Sequence, residues 1–158
     1  MNSNLQDWEE FILDKLFTIK RWKRLTSADQ EDGKNNYIRA IDSNNITNHI
    51  VQKTIHIGNA ITINYNSSVG EAFYQKDPYW ATDDVNALYS KYENFNEKIG
   101  LFHVTVIRQE KYKFSYGMKW TVNNMKSTRI NLPVKRKTDK TPVIDSSKQF
   151  SDNRYISD

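Results

Sequence analysis

Cysteine is absent from all 158 residues. That excludes a disulfide scaffold and any zinc site built on cysteine thiolates. It fits a reducing cytoplasm. No apolar run approaches the roughly 20 residues that a membrane-spanning helix needs. The amino terminus, MNSNLQDWEEF, lacks the basic-then-apolar profile of a secretory signal. A soluble, cytoplasmic protein with no membrane partner is therefore expected.

Signatures of catalysis are also missing. His49, His56 and His103 are scattered, without HExxH or any comparable ligand spacing. There is no glycine-rich dinucleotide loop, no Walker-type phosphate loop and no GxSxG elbow. Asp32-Gly33-Lys34 carries half of a metal-dependent nuclease pattern but lacks an upstream Pro-Asp on a strand. Asp77-Pro78-Tyr79-Trp80 resembles the base-holding loop of amino-methylating enzymes, but its second proline is missing and no cofactor loop precedes it. Asp83-Asp84 reads as a turn cap or an ion-pair partner rather than a cation site. No catalytic residue, metal site or cofactor is expected.

What the chain does have is aromatic residues and positive charge. Phe, Trp and Tyr make up 13% of it, enough to build a core despite a mean hydropathy of -0.80. The net charge is +4 and its distribution is uneven. Lys20-Arg21-Trp22-Lys23-Arg24 places four positive charges in five residues. From Arg108 to Arg129, six lysines and arginines face one acid, Glu110. Charge gathered on two segments can neutralise phosphates if folding brings the segments together, and otherwise makes two solvated faces. The run from Arg108 to Trp120 interleaves charge with Tyr112, Phe114, Tyr116 and Trp120. Arg and Lys suit phosphate or guanine, and Ser and Tyr can donate to phosphate oxygens. At least half of these aromatics are expected in the core.

Periodicity outlines a mixed fold. Leu5, Trp8, Ile12 and Leu16 lie on one helical stripe and predict an N-terminal helix, followed by a strand at Phe17-Thr18-Ile19. Strands are expected at 37–41, 53–57, 60–65, 71–75 and 85–89. In the third of these, Ile61, Ile63 and Tyr65 share a face. A helix capped by Asn94 or Asn96 carries Phe95, Ile99, Phe102 and Val106. A short helix at 122–125 and a strand at 130–134 complete the body, with Pro133 suited to an edge. From Lys135 the sequence is polar and aperiodic. The expected organisation is a domain over 1–134 with a polar tail or linker over 135–158.

Four stretches then carry a resemblance: LFTIKRWKRLTSAD, YIRAIDSNNIT, GNAITINYNSSVGEAFYQKDPYWATDDVNALY and IRQEKYKFSYGMKWTVNNMKSTRINLPV. Together they resemble the target-recognition domain of restriction–modification specificity subunits, of type I systems and of the related two-part type II enzymes that cut on both sides of their site. The resemblance implies an α/β (mixed α+β) domain with a short-stranded mixed sheet and flanking helices. It implies a non-catalytic module that reads one half of a bipartite double-stranded DNA site. Its partners would be a DNA methyltransferase subunit and a nuclease/translocase subunit, with a homodimer of half-specificity subunits as a further arrangement. The other function open to such a module is a decoy that binds the methyltransferase subunit without reading DNA. The residues expected at DNA are Lys20, Arg21, Lys23, Arg24, Asn66, Ser67, Ser68, Arg108, Lys111, Lys113, Tyr116, Lys119 and Arg129. Gly70 reads as a backbone requirement of the turn. Two departures stand out. Trp22 occupies a loop position that is usually glycine, and Asn44-Asn45-Ile46-Thr47 is one residue shorter than the usual Asn-Asn-Gly-Ile-Thr.

Overall fold

Strands that are apolar on both faces must be covered on both sides. The stretch Ala60–Asn64 is covered in this way, with all five residues buried, although Thr62 and Asn64 on one face are polar. A computed structural model of the chain describes residues 7–21, 30–40, 46–50, 56–66, 68–91, 94–114, 120–136 and 142–144. Its centre is an antiparallel sheet of β2 (Phe17–Arg21), β8 (Val85–Ser90), β5 (Ala60–Asn64) and β6 (Ala72–Gln75), in that order.

One face of this sheet carries Phe17, Ile19, Ile61, Ile63, Ala72, Tyr74 and Leu88. Against it pack α1 (Leu13–Leu16), α2 (Glu97–Arg108), α3 (Val122–Lys126) and a second sheet, through Leu101, Val104, Ile107, Trp120, Met125, Ile130 and Leu132. The second sheet places β9 (Arg129–Arg136) between β1 (Asp7–Ile12) and β10 (Pro142–Ile144). The other face of the central sheet presents Ala60, Val85 and Ala87 to a third sheet. There β3 (Asp32–Ile38) pairs antiparallel with β4 (Ile46–Ile50) and parallel with β7 (Tyr79–Ala81). The result is a mixed α and β fold, as expected. Both faces of β5 are covered, so its buried set extends beyond the alternating Ile61 and Ile63 to Ala60, Thr62 and Asn64.

The expected second helix is α2. Its cap is Asn96, whose side chain accepts from Ile99 N at 3.0 Å. Thr121 caps α3 in the same way, accepting from Asn124 N at 3.1 Å. The β-branched run at 104–107 is helical because its apolar face docks on the sheet, and burial outweighs a modest propensity penalty.

The expected N-terminal helix is not observed. Residues 7–12 form a strand in register with β9 from Asp7↔Val134 to Ile12↔Arg129, and only Leu13–Leu16 is helical. On β9, Ile130, Leu132 and Val134 alternate inward and need a neighbour, and pairing with β1 overrides a weak helical stripe. Pro133 lies opposite Trp8. Because β10 pairs only with residues 134–136, β9 has a single described neighbour at the proline, which tolerates the missing N–H. The pairing of β10 also carries regular structure past residue 134. The expected 53–57 strand falls mostly outside the described residues, although His56 forms a bridge with Tyr79.

Candidate nucleic-acid interface

The carboxyl ends of β2 and β5 and the amino ends of β8 and β6 meet at one end of the central sheet, as the pairs Arg21↔Asn86, Asn64↔Val85 and Ile63↔Ala72 require. The 65–71 turn joins β5 to β6 at this end. Tyr65 is fixed there on both sides. Its N–H donates to Asp84 O at 2.9 Å, and its carbonyl accepts from Trp120 N at 3.2 Å. Trp120 is fully buried, and its indole N–H donates to Thr128 Oγ1 at 3.0 Å. That anchor brings the later cationic segment to the turn.

Gly70 makes the approach close. Its φ is +85°, and a Cβ at this position would lie 2.9 Å from Lys111 Cα and closer still to Lys111 Cβ. Lys111 starts a 3-10 turn, Lys111–Phe114, beside which Tyr112 is exposed. Glu71 follows Gly70 and is nearly buried. Its carboxylate accepts from Lys111 Nζ and lies 2.7 Å from Arg108 Nη1.

Two of the arginines expected at DNA, Arg21 and Arg108, are held differently. Arg108, at the end of α2, has its Nε donating to Ala72 O at 2.9 Å and its guanidinium 4.8 Å from the Phe73 ring centroid. Its side chain is only 20% exposed, which makes it a brace across the edge strand β6. Arg21 is exposed at the end of β2. Its Nε donates to Asp83 O at 2.7 Å, and its guanidinium lies 4.3 Å from the Tyr65 ring centroid. The carboxylate of the neighbouring Asp84 is engaged locally by Thr82 Oγ1.

Successive residues of a strand point to opposite faces, so the Lys20-Arg21 pair is divided. Lys20 Nζ sits 5.7 Å from the Tyr89 ring, on the side where His56 stacks between Tyr79 and Tyr89. His56 is held neutral, its pKa lowered to about 4 by burial first and then by the Lys20 charge.

Among the other expected residues, Asn66 and Ser68 are exposed in the 65–71 turn, and Ser68 has φ +45°. Its carbonyl accepts from Asn64 Nδ2 at 3.3 Å. Arg129 lies in the second sheet, paired with Glu10 at 2.8 Å. Lys113 is in the 3-10 turn, but its side chain is not described. Lys23, Arg24, Ser67, Tyr116 and Lys119 lie outside the described residues, as do Trp22, Asn44 and Asn45. Three residues at this sheet end escaped the sequence reading. Tyr65 looked like a strand residue, Tyr112 like core, and Glu71 like the start of β6. A single acid ahead of a strand and an aromatic at its end are weak signals, and their cationic partners lie about 40 residues away in sequence.

Among the described residues no group of His, Asp and Glu is arranged to hold a metal ion, and no helix is long and apolar enough to cross a membrane. The family model described as "Type I restriction modification DNA specificity domain" matches residues 6–144. The chain belongs to this family. A curated member-like relative, the type II restriction enzyme BgcI specificity subunit S.BcgI of Heyndrickxia coagulans, is 39% identical over 147 residues. The match covers 90% of this chain and 42% of that protein, so the specificity domain described here spans under half of the relative's length. Two solved structures share its fold. The S subunit of a type I restriction-modification system from M. genitalium superposes with a TM-score of 0.67 at 14% identity, over 84% of this chain and 36% of that one. The HsdS subunit from Thermoanaerobacter tengcongensis gives 0.59 at 14% identity, over 80% and 33%.

Proposed function

We propose that this specificity domain reads one half of a bipartite double-stranded DNA site through the end of its central sheet, as the non-catalytic targeting part of a restriction–modification system. The observation that carries the reading is the meeting of the two cationic segments there: Arg21 over Tyr65, and Lys111 against Gly70, on either side of one strand–turn–strand. Asn66, Ser67 and Ser68 in that turn supply short polar groups for phosphate or base edges. Lys23 and Arg24, and Lys113, Tyr116 and Lys119, continue the two segments outward in sequence, and Lys20 adds charge on the opposite face of β2. Arg108 and Arg129 act mainly as braces through Glu71 and Glu10. The domain docks beside a DNA methyltransferase subunit, which does the chemistry on the bound site, with a nuclease/translocase subunit in the full complex. Residues 1–134 hold the recognition surface, and β10 extends the body that supports it.

Substituting Lys23, Arg24 and Lys111 together by alanine tests the reading. Duplex binding should weaken, and the slope of log K against log salt should fall by up to about 2.7, at about 0.9 per lost phosphate contact. An unchanged slope removes these residues from the phosphate contact. In a pull-down with the methyltransferase subunit, capture that DNA does not influence favours the decoy over the reader.

A further inference from the structure

We infer that Arg21 is a specificity-determining residue that presents its two Nη groups as a fixed fork to the O6 and N7 acceptors of a guanine. The inference rests on the DNA-reading function proposed above and names the base recognised at one position. An arginine that only neutralises a phosphate needs charge and reach, whereas one that reads a base edge needs a fixed plane. Arg21 has a fixed plane. Its guanidinium carbon lies over the Tyr65 ring, 4.3 Å from the centroid, and its Nε is tied to Asp83 O at 2.7 Å. With Nε engaged, the Nη end is what the exposed side chain offers outward.

The support is itself rigid. Tyr65 is held by backbone hydrogen bonds to Asp84 O and from Trp120 N, and Trp120 belongs to the core. The partner of Nε is the Asp83 backbone carbonyl, which orients the guanidinium without neutralising its charge. Among base edges in the major groove, guanine alone offers two adjacent acceptors to such a fork. Among the described residues, Arg108 at this sheet end is turned inward to Glu71, Ala72 O and Phe73, whereas Arg21 is posed outward.

The test selects binders from a randomised duplex library with the full chain, wild type and the variants Arg21→Lys, Arg21→Ala and Tyr65→Leu. Circular dichroism checks that each variant folds. Wild type should enrich a sequence containing at least one invariant G·C pair. Arg21→Lys keeps the charge and should lose that preference, with roughly tenfold less discrimination at that pair. Arg21→Ala should lose it as well. Tyr65→Leu keeps the arginine and should blur the same position. Placing 7-deazaguanine there removes N7, and should weaken wild type roughly tenfold while leaving Arg21→Lys unaffected. If Arg21→Lys enriches the wild-type sequence and Arg21→Ala merely weakens all duplexes alike, Arg21 is a phosphate contact and the inference is overturned. If wild type enriches no sequence at all, the DNA-reading function fails and this assignment falls with it.

Discussion

At Gly70 the backbone has φ +85°, and Lys111 lies where a side chain would go. Both facts oppose replacement. The left-handed conformation costs a residue with a Cβ about 1–2 kcal/mol, and crowding against the Lys111 backbone adds about 1–3. Gly70→Ala should therefore destabilise the domain by about 2–4 kcal/mol in chemical denaturation. It should also weaken duplex binding under conditions where the variant is folded, because Lys111 would be displaced from the turn. A variant as stable as wild type would show that the turn relaxes without loss. Gly70 was legible in the sequence as a backbone requirement, since a glycine after Asn-Ser-Ser between two strands has few other uses. Its partner was not legible. Nothing local to NYNSSVGEAF points to Lys111, and the contact depends on Trp120 reaching Tyr65 from another element. The same limit explains the arginines. Sequence assigned Arg21 to a run of phosphate contacts, but its neighbours in space, Tyr65 and Asp83, are distant in the chain.

Among the elements, α2 was readable because several signals agree: an Asn cap, an apolar stripe and a basic residue in the last turn. β1 was misread because its stripe is short and its partner β9 lies more than a hundred residues away. Helix α2 also carries a pH dependence. His103 is buried among Phe17, Phe95 and Phe102, and its Nδ1 donates to Ile99 O at 2.8 Å. Burial lowers its pKa to about 4 from 6.5, against the raising effect of that hydrogen bond. Below pH 6.5 the unfolded chain binds a proton that the native state refuses until about pH 4. The contribution to stability is therefore full above pH 6.5 and is lost as pH falls towards 4. Its size is on the order of 3 kcal/mol. His56 titrates in the same direction and window. Replacing His103 by Gln should make the fall in Tm between pH 7 and pH 5 smaller than in wild type. A fall as large as in wild type would assign the acid sensitivity to other groups.

For the whole molecule, the sequence foretold a mixed α and β fold but not its layering. Among the described residues three small sheets arise because β5 and β8 are buried on both faces, and each face needs its own cover. The polar composition after Lys135 hid the last strand, because a three-residue edge strand is held by its backbone more than by its side chains. Pro142, Val143 and Ile144 pair with Arg136, Lys135 and Val134, and β9 lies in the middle as a result. A chain cut after Val134 loses β10 together with its partners Lys135 and Arg136, whereas one cut after Ile144 keeps the pairing. The few ladder hydrogen bonds involved are each worth about 1 kcal/mol net, which suggests about 2 kcal/mol in total. For a domain of this size that corresponds to a Tm lower by roughly 4–8 °C. The same cut takes Lys135 and Arg136 away with β10, so it shortens the sheet rather than baring a long edge of β9. The shorter chain should therefore melt earlier in a thermal scan, while the longer one behaves as the full chain does. Equal melting temperatures for the two cuts would place the working boundary of the domain at residue 134 and leave β10 without a structural role.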